Sequence, residues 1–119
     1  MLKLEDLEVY SLSMEYAEEI WNVVIHWEIF SKIHLGGQMT EAADSIGFNI
    51  SEGYGRFHYK ENKQFCYFAR GSLLESKTGL AKAIRRKLIS EIQHKDLLGK
   101  LETIHIKLNA YIKSIGRTK

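Results

Sequence analysis

The sequence predicts an all-α fold, an antiparallel up-down-up-down four-helix bundle, from three observations. Proline is absent from all 119 residues, four long segments space their apolar residues by threes and fours, and turn-forming clusters are few and short. No alternating strand pattern competes. With 45% apolar residues, one domain spanning residues 1–119 can build a core without metal or disulfide staples.

The first helix is expected from about Glu5 to about His26. Leu7, Tyr10, Met14, Ala17, Trp21 and Val24 form a bundle seam. A second apolar line, Val9, Tyr16, Ile20, Val23 and Trp27, lies about 120° round the same helix. Two lines exceed what one core needs: either the bundle encloses this helix deeply, or the second line meets another subunit. The subunit contact is the expectation carried forward, because a small bundle rarely encloses a helix so fully.

The second helix is expected from about Ser31 to Tyr54, with Ile33, Leu35, Met39, Ala42, Ile46 and Ile50 inward and Gly36, Gly37 and Gly47 bending it or permitting close approach. Gly53 and Gly55 would free the backbone for a tight reversal. Asn49 and Glu52 are costly if buried unpaired, so both are expected to brace the fold.

The third helix, from about Tyr59 to Lys87, packs Cys66, Ala69, Leu73, Ser76, Leu80 and Ile84 inward. Arg56, Lys60, Lys63, Arg70 and Lys77 follow one shoulder of that seam, flanked by Tyr59 and Tyr67. Such a row suits a phosphate backbone or single-stranded nucleic acid; it also suits a solvated face pairing with acids of the first helix. Arg85, Arg86 and Lys87 offset the negative end of the helix dipole and need no ligand to explain them. Ser90 and Gln93 form a capping box that opens the fourth helix, whose Leu97, Leu101, Ile104, Leu108, Tyr111 and Ile115 make a heptad-like stripe ending at Gly116.

Net charge is +2, but residues 1–30 hold seven acids and one base, whereas residues 56–119 hold five acids and fifteen bases. That polarity favours an acidic element facing a basic one and leaves positive charge for an anionic partner. Cys66 is the single cysteine, which excludes an internal disulfide and fits a reducing compartment. Acids at Glu5, Asp6 and Glu8 interrupt any signal-peptide pattern, and no run approaches membrane-spanning length. A soluble, cytoplasmic protein is expected.

No catalytic constellation stands out, and no cofactor or metal is expected. Glu91 and His94, then Glu102 and His105, have the Glu-x-x-His spacing of di-metal bundles. Both pairs fall on or beside one helix, about 16 Å apart, too far to share two ions. Cys66 has no histidine or aspartate at useful spacing, and Gly53-Tyr54-Gly55 lacks the strand and the lysine of a phosphate loop.

Two stretches resemble the bacterial 23S rRNA intervening-sequence proteins, to which the accessory variability proteins of diversity-generating retroelements are related. Gln38, Ala42, Ala43, Ser45, Ile46, Asn49, Ile50, Glu52, Gly53, Gly55 and Arg56 match the pattern Q-x-x-R-A-A-x-S-I-x-x-N-I-A-E-G-x-G-R; Lys60, Glu61, Phe65, Phe68, Ala69, Gly71, Ser72, Leu73 and Glu75 continue it. The resemblance implies an antiparallel bundle, a homopentameric ring, and nucleic-acid binding in the retroelement branch, with a reverse transcriptase or ribosomal component as partner. Glu41 departs from the pattern, replacing an arginine and removing one phosphate contact. The expected function is a non-enzymatic oligomeric adaptor or scaffold that binds RNA or DNA weakly and without sequence preference; the alternative is a structural protein-interaction module with no nucleic-acid affinity.

Overall fold

Four helices make the whole architecture, seen in a computed structural model that describes residues 3–117. Among the described residues there is no strand. A 3-10 turn, Leu4–Asp6, leads into α1, Glu8–Val24. The second helix, α2, is one unbroken rod of three segments: Ile29–Ser31, a π-helical turn at Lys32–Gly36, and Gly37–Tyr54. Then come α3, Tyr59–Arg85, and α4, Glu91–Ser114.

Local chemistry sets the ends. The Glu28 carboxylate opens α2 by accepting from Phe30 N (3.1 Å) and Ser31 N (2.8 Å), satisfying two otherwise unpaired donors. The capping box at α4 forms as the sequence predicts: Gln93 N donates to Ser90 Oγ at 3.1 Å, and Ser90 N to Gln93 Oε1 at 2.9 Å. α3 stops two residues before Lys87, because Leu88 N bonds to Ala83 O (2.9 Å) and Lys87 N to Ile84 O (3.1 Å), with Lys87 left-handed at φ 60°.

α1 packs on α2, α2 on α3, α3 on α4, and α4 back on α1, in a body 50 × 23 × 20 Å. The core takes Tyr16, Ile20 and Val24 from α1, Met39, Ile46 and Ile50 from α2, Cys66, Leu73 and Leu80 from α3, and Leu97, Leu101, Ile104 and Leu108 from α4. The inward stripes of α3 and α4 are those the spacing predicts, with Ile84 and Tyr111 half-buried.

Three expectations are corrected. The two lines of α1 share the core: Val9, Tyr16, Ile20 and Trp27 are buried within the chain's own core and Val23 is half-buried, and Ala17 and Val24 of the expected seam are buried too, while Met14 and Trp21 of that seam are 47% and 52% exposed. Periodicity fixes the angle between two lines, not which faces the neighbours. The inward line is the one whose Tyr16 hydroxyl finds a partner on another helix, Ser76 Oγ at 2.6 Å, while the buried Ser13 Oγ is satisfied within α1 by Val9 O at 2.7 Å. Ile33, expected inward, is 64% exposed; two residues before Leu35, it falls on roughly the opposite side of the helix, so it faces out while Leu35 and Met39 stay in. Finally, neither Gly53 nor Gly55 adopts a positive φ. Gly53 is helical and buried, and a Cβ there would lie 2.9 Å from Asn62 O and 2.9 Å from Phe65 Cβ, so it serves the close approach of α2 and α3.

Candidate nucleic-acid interface

Lys60, Lys63, Arg70 and Lys77 lie on α3 and Arg56 in the connection before it, and the five are not equivalent. Arg56 Nη2 lies 3.0 Å from Glu52 Oε2, one turn earlier, and its guanidinium stacks 4.8 Å from the Phe65 ring centroid. Arg70 donates to Asn109 Oδ1 on α4 at 2.8 Å and covers Tyr67 at 5.2 Å. Both arginines are thereby held in fixed orientation by their own chain. Lys60 and Lys77 are exposed, Lys63 is half-buried, and among the described residues none of the three has a carboxylate within ion-pair distance.

Two acids of α1 that were candidates to neutralise this row, Glu8 and Glu19, are engaged by α4. Glu19 pairs with Lys100, which also reaches Asp96 at 3.2 Å, and Glu8 pairs with Lys107 at 2.7 Å. Both contacts join α1 to α4. The Lys100 ammonium is held above its ordinary pKa by its hydrogen bond to Glu19. Being exposed, these bridges contribute little stability, yet they fix where the negative charge sits.

On the side of α3 away from the row, α2 and α3 are joined by a hydroxyl and amide chain. Asn49 Nδ2 donates to Ser45 O and Ser45 Oγ, both at 2.9 Å, and Ser72 Oγ reaches Ser45 Oγ at 2.9 Å. Asn49 therefore braces the helix pair, as the sequence predicts, and Glu52 anchors Arg56. Glu41 is exposed on α2.

A feature that sequence reasoning missed lies between α1 and α2. A groove of about 280 Å³ is lined by Tyr10, Met14, Ala17, Gly47 and Phe48, together with the carboxylates of Glu18 and Asp44. Phe48 is 72% exposed, and Trp21 and Ile25 extend the apolar surface along α1. Desolvation, then the Glu18 charge, raise the Asp44 carboxyl above its usual range. The signal was present in the sequence as the surplus apolar line of α1, attached to the wrong line.

Cys66 is buried among apolar side chains, and burial pushes its thiol up to about 11, away from the nucleophilic thiolate. Among the described residues no group of three histidine, cysteine, aspartate or glutamate side chains is placed to hold a metal ion, and no helix is long and apolar enough to cross a membrane.

Comparison with known proteins agrees with this architecture. A solved structure from Bacteroides thetaiotaomicron, described as a protein of unknown function from the S23 ribosomal protein family, superposes with a TM-score of 0.83 at 23% identity, covering 89% of this chain and 96% of that one. At that identity the likeness speaks for the fold alone. No curated protein matches the sequence. The sequence pattern of the 23S rRNA-intervening sequence proteins matches residues 5–110, and the chain belongs to that family.

Proposed function

We propose that this chain is a non-enzymatic adaptor or scaffold: an antiparallel up-down-up-down bundle that assembles with copies of itself and offers a repeated basic row to RNA or DNA. The antiparallel reading is supported by contacts that run in opposite senses along each pair, Glu8 with Lys107 and Glu19 with Lys100, Ser45 with Ser72 and Gly53 with Asn62. The observation that carries the nucleic-acid reading is the absence, among the described residues, of any carboxylate paired with Lys60, Lys63 or Lys77, while two acids of α1, Glu8 and Glu19, are taken up by α4.

Self-assembly uses the α1/α2 groove rather than Val9, Tyr16, Ile20 and Trp27. Its occupant is the outward face of α4 on a second copy, where Ile92 and Ile106 are exposed beside Lys95 and Lys113. Apolar side chains with lysines on one surface complement apolar side chains with Glu18 and Asp44 on the other. Gly99, with open space around it, allows close approach. Two different surfaces meeting head-to-tail give a ring where the rotation between copies closes and a filament where it does not; the closed ring and the number five come from the family resemblance, as does a reverse transcriptase or ribosomal component as partner. Each copy repeats a weak patch, so a long polyanion gains avidity without a strong single site.

Titration with single-stranded RNA at several salt concentrations tests this reading. Reversing Lys60, Lys63 and Lys77 to glutamate should weaken binding and flatten the salt slope by about 0.7 per lost phosphate contact. Affinity and slope unchanged by the triple reversal would remove the row from the function. Glu15 and Glu18, which show no ion pair among the described residues, favour a second reading in which the row docks on α1 of a neighbour. In that case the reversals lower the assembled mass instead.

A further inference from the structure

At the end of the bundle where α2 begins and α3 finishes, there is chemistry that neither the row nor the groove uses. A cavity of about 370 Å³ opens there, lined by Phe30, Ser31, His34, Leu35, Arg86 and Leu88. Its volume lies at the lower end of small-ligand pockets, roughly 300–1,000 Å³. The Phe30 and His34 rings are in contact with centroids 4.3 Å apart and planes tilted by 46°, although Phe30 remains 66% exposed. An exposed phenylalanine on a histidine does nothing for the core; it offers a flat face to a ligand.

The cations nearby are equally open. Arg85, Arg86 and Lys87 are exposed, and among the described residues none of them, nor His34, is within ion-pair distance of a carboxylate. No acid lines the cavity. Glu28, the acid of this stretch, has its carboxylate engaged by Ser31 Oγ, Ser31 N and Phe30 N, which hold it below the usual carboxylate range. The dipole of α3 is already met by Lys82 and Arg85 in the last turn. It gives no reason for a lysine at a left-handed position where glycine is the unstrained choice.

We propose that this cavity binds one nucleotide unit of a single-stranded nucleic acid, the base lying on the Phe30–His34 pair and the phosphate held by Arg86 and Lys87. Stacking accepts any base, and a guanidinium fork suits phosphate oxygens. An acidic peptide would use the cations and leave the aromatic pair without a role. The site stands apart from Lys60, Lys63 and Lys77, so it survives or fails independently of the row.

The experiment follows the amide signals of residues 28–36 and 84–90 by nuclear magnetic resonance while the full chain is titrated with a short single-stranded oligoadenylate, with adenosine 5′-monophosphate, or with inorganic phosphate. The nucleotides should shift these signals to saturation and inorganic phosphate should bind about tenfold more weakly, the fold-change of one lost base stack. Arg86→Gln and Phe30→Ala should each weaken nucleotide binding by about tenfold. Both side chains are exposed, so an unchanged melting midpoint confirms that the variants fold. Reversal of Lys60, Lys63 and Lys77 should leave the mononucleotide shifts in place. No shift at these residues, inorganic phosphate binding as tightly as the nucleotide, or full affinity in both folded variants would each overturn the proposal.

Discussion

At φ 60° Lys87 closes α3 in a conformation that presses a side-chain Cβ against the backbone. Its neighbours Leu88 N and Ala83 O complete the turn regardless of what the side chain is. Replacing it therefore separates backbone strain from side-chain use. Lys87→Gly should raise stability by about 1 kcal/mol, read as a higher midpoint in urea denaturation, and under the nucleotide proposal it should also weaken binding at the α2/α3 end. An unchanged or lower midpoint would show that the lysine holds this turn by contacts that outweigh its strain. The same scale separates the five cations of the row: sequence spacing places them together, but only coordinates show Arg56 and Arg70 already engaged by Glu52, Phe65, Asn109 and Tyr67.

Between elements, the decisive distance is that between α2 and α3 at Gly53. A Cβ there would meet the Asn62 carbonyl at 2.9 Å, a backbone atom that cannot rotate away. Gly53→Ala should destabilise the protein by about 2 kcal/mol, in the range of overpacked cores, as a lowered midpoint in thermal or urea unfolding. Gly79, whose added Cβ would meet the flexible Met39 side chain, is expected to be more forgiving. An unaffected Gly53→Ala variant would mean that the helices separate freely. Much of this level was legible in advance. Helix number, the capping box at Ser90 and the stripes of α3 and α4 follow from spacing and turn chemistry. The inward line of α1 was not, because Val9–Tyr16–Val23 and Leu7–Met14–Trp21 are equally periodic, and the choice rests on Tyr16 finding Ser76 sixty residues away. Nor was the π turn at Lys32–Gly36, although Gly36 and Gly37 mark that stretch as one that can bend.

For the whole molecule, the question is which surface is left uncovered. Trp21 and Phe48 are more than half exposed, so changing both to glutamate leaves the core untouched while opposing burial of the α1/α2 groove. The double variant should lower the solution mass to that of one chain, measured by light scattering or sedimentation, with its helical content intact. A wild-type chain that is itself monomeric, or an oligomer indifferent to both changes, would set aside the head-to-tail interface. The family resemblance supplied the expectation of a ring, while the exposed faces of this chain suggest where its copies would touch.

The hydroxyl bridge between Tyr16 and Ser76 also bears on how many ways this sequence can settle. Smooth aliphatic surfaces forgive a helix that slides by one turn along its neighbours. Two hydroxyls that must find each other in hydrocarbon do not, since any misalignment strands both donors where water cannot reach them. Such a bridge acts like a keyed joint, adding little to the strength of the assembled helices and excluding most of the wrong alignments.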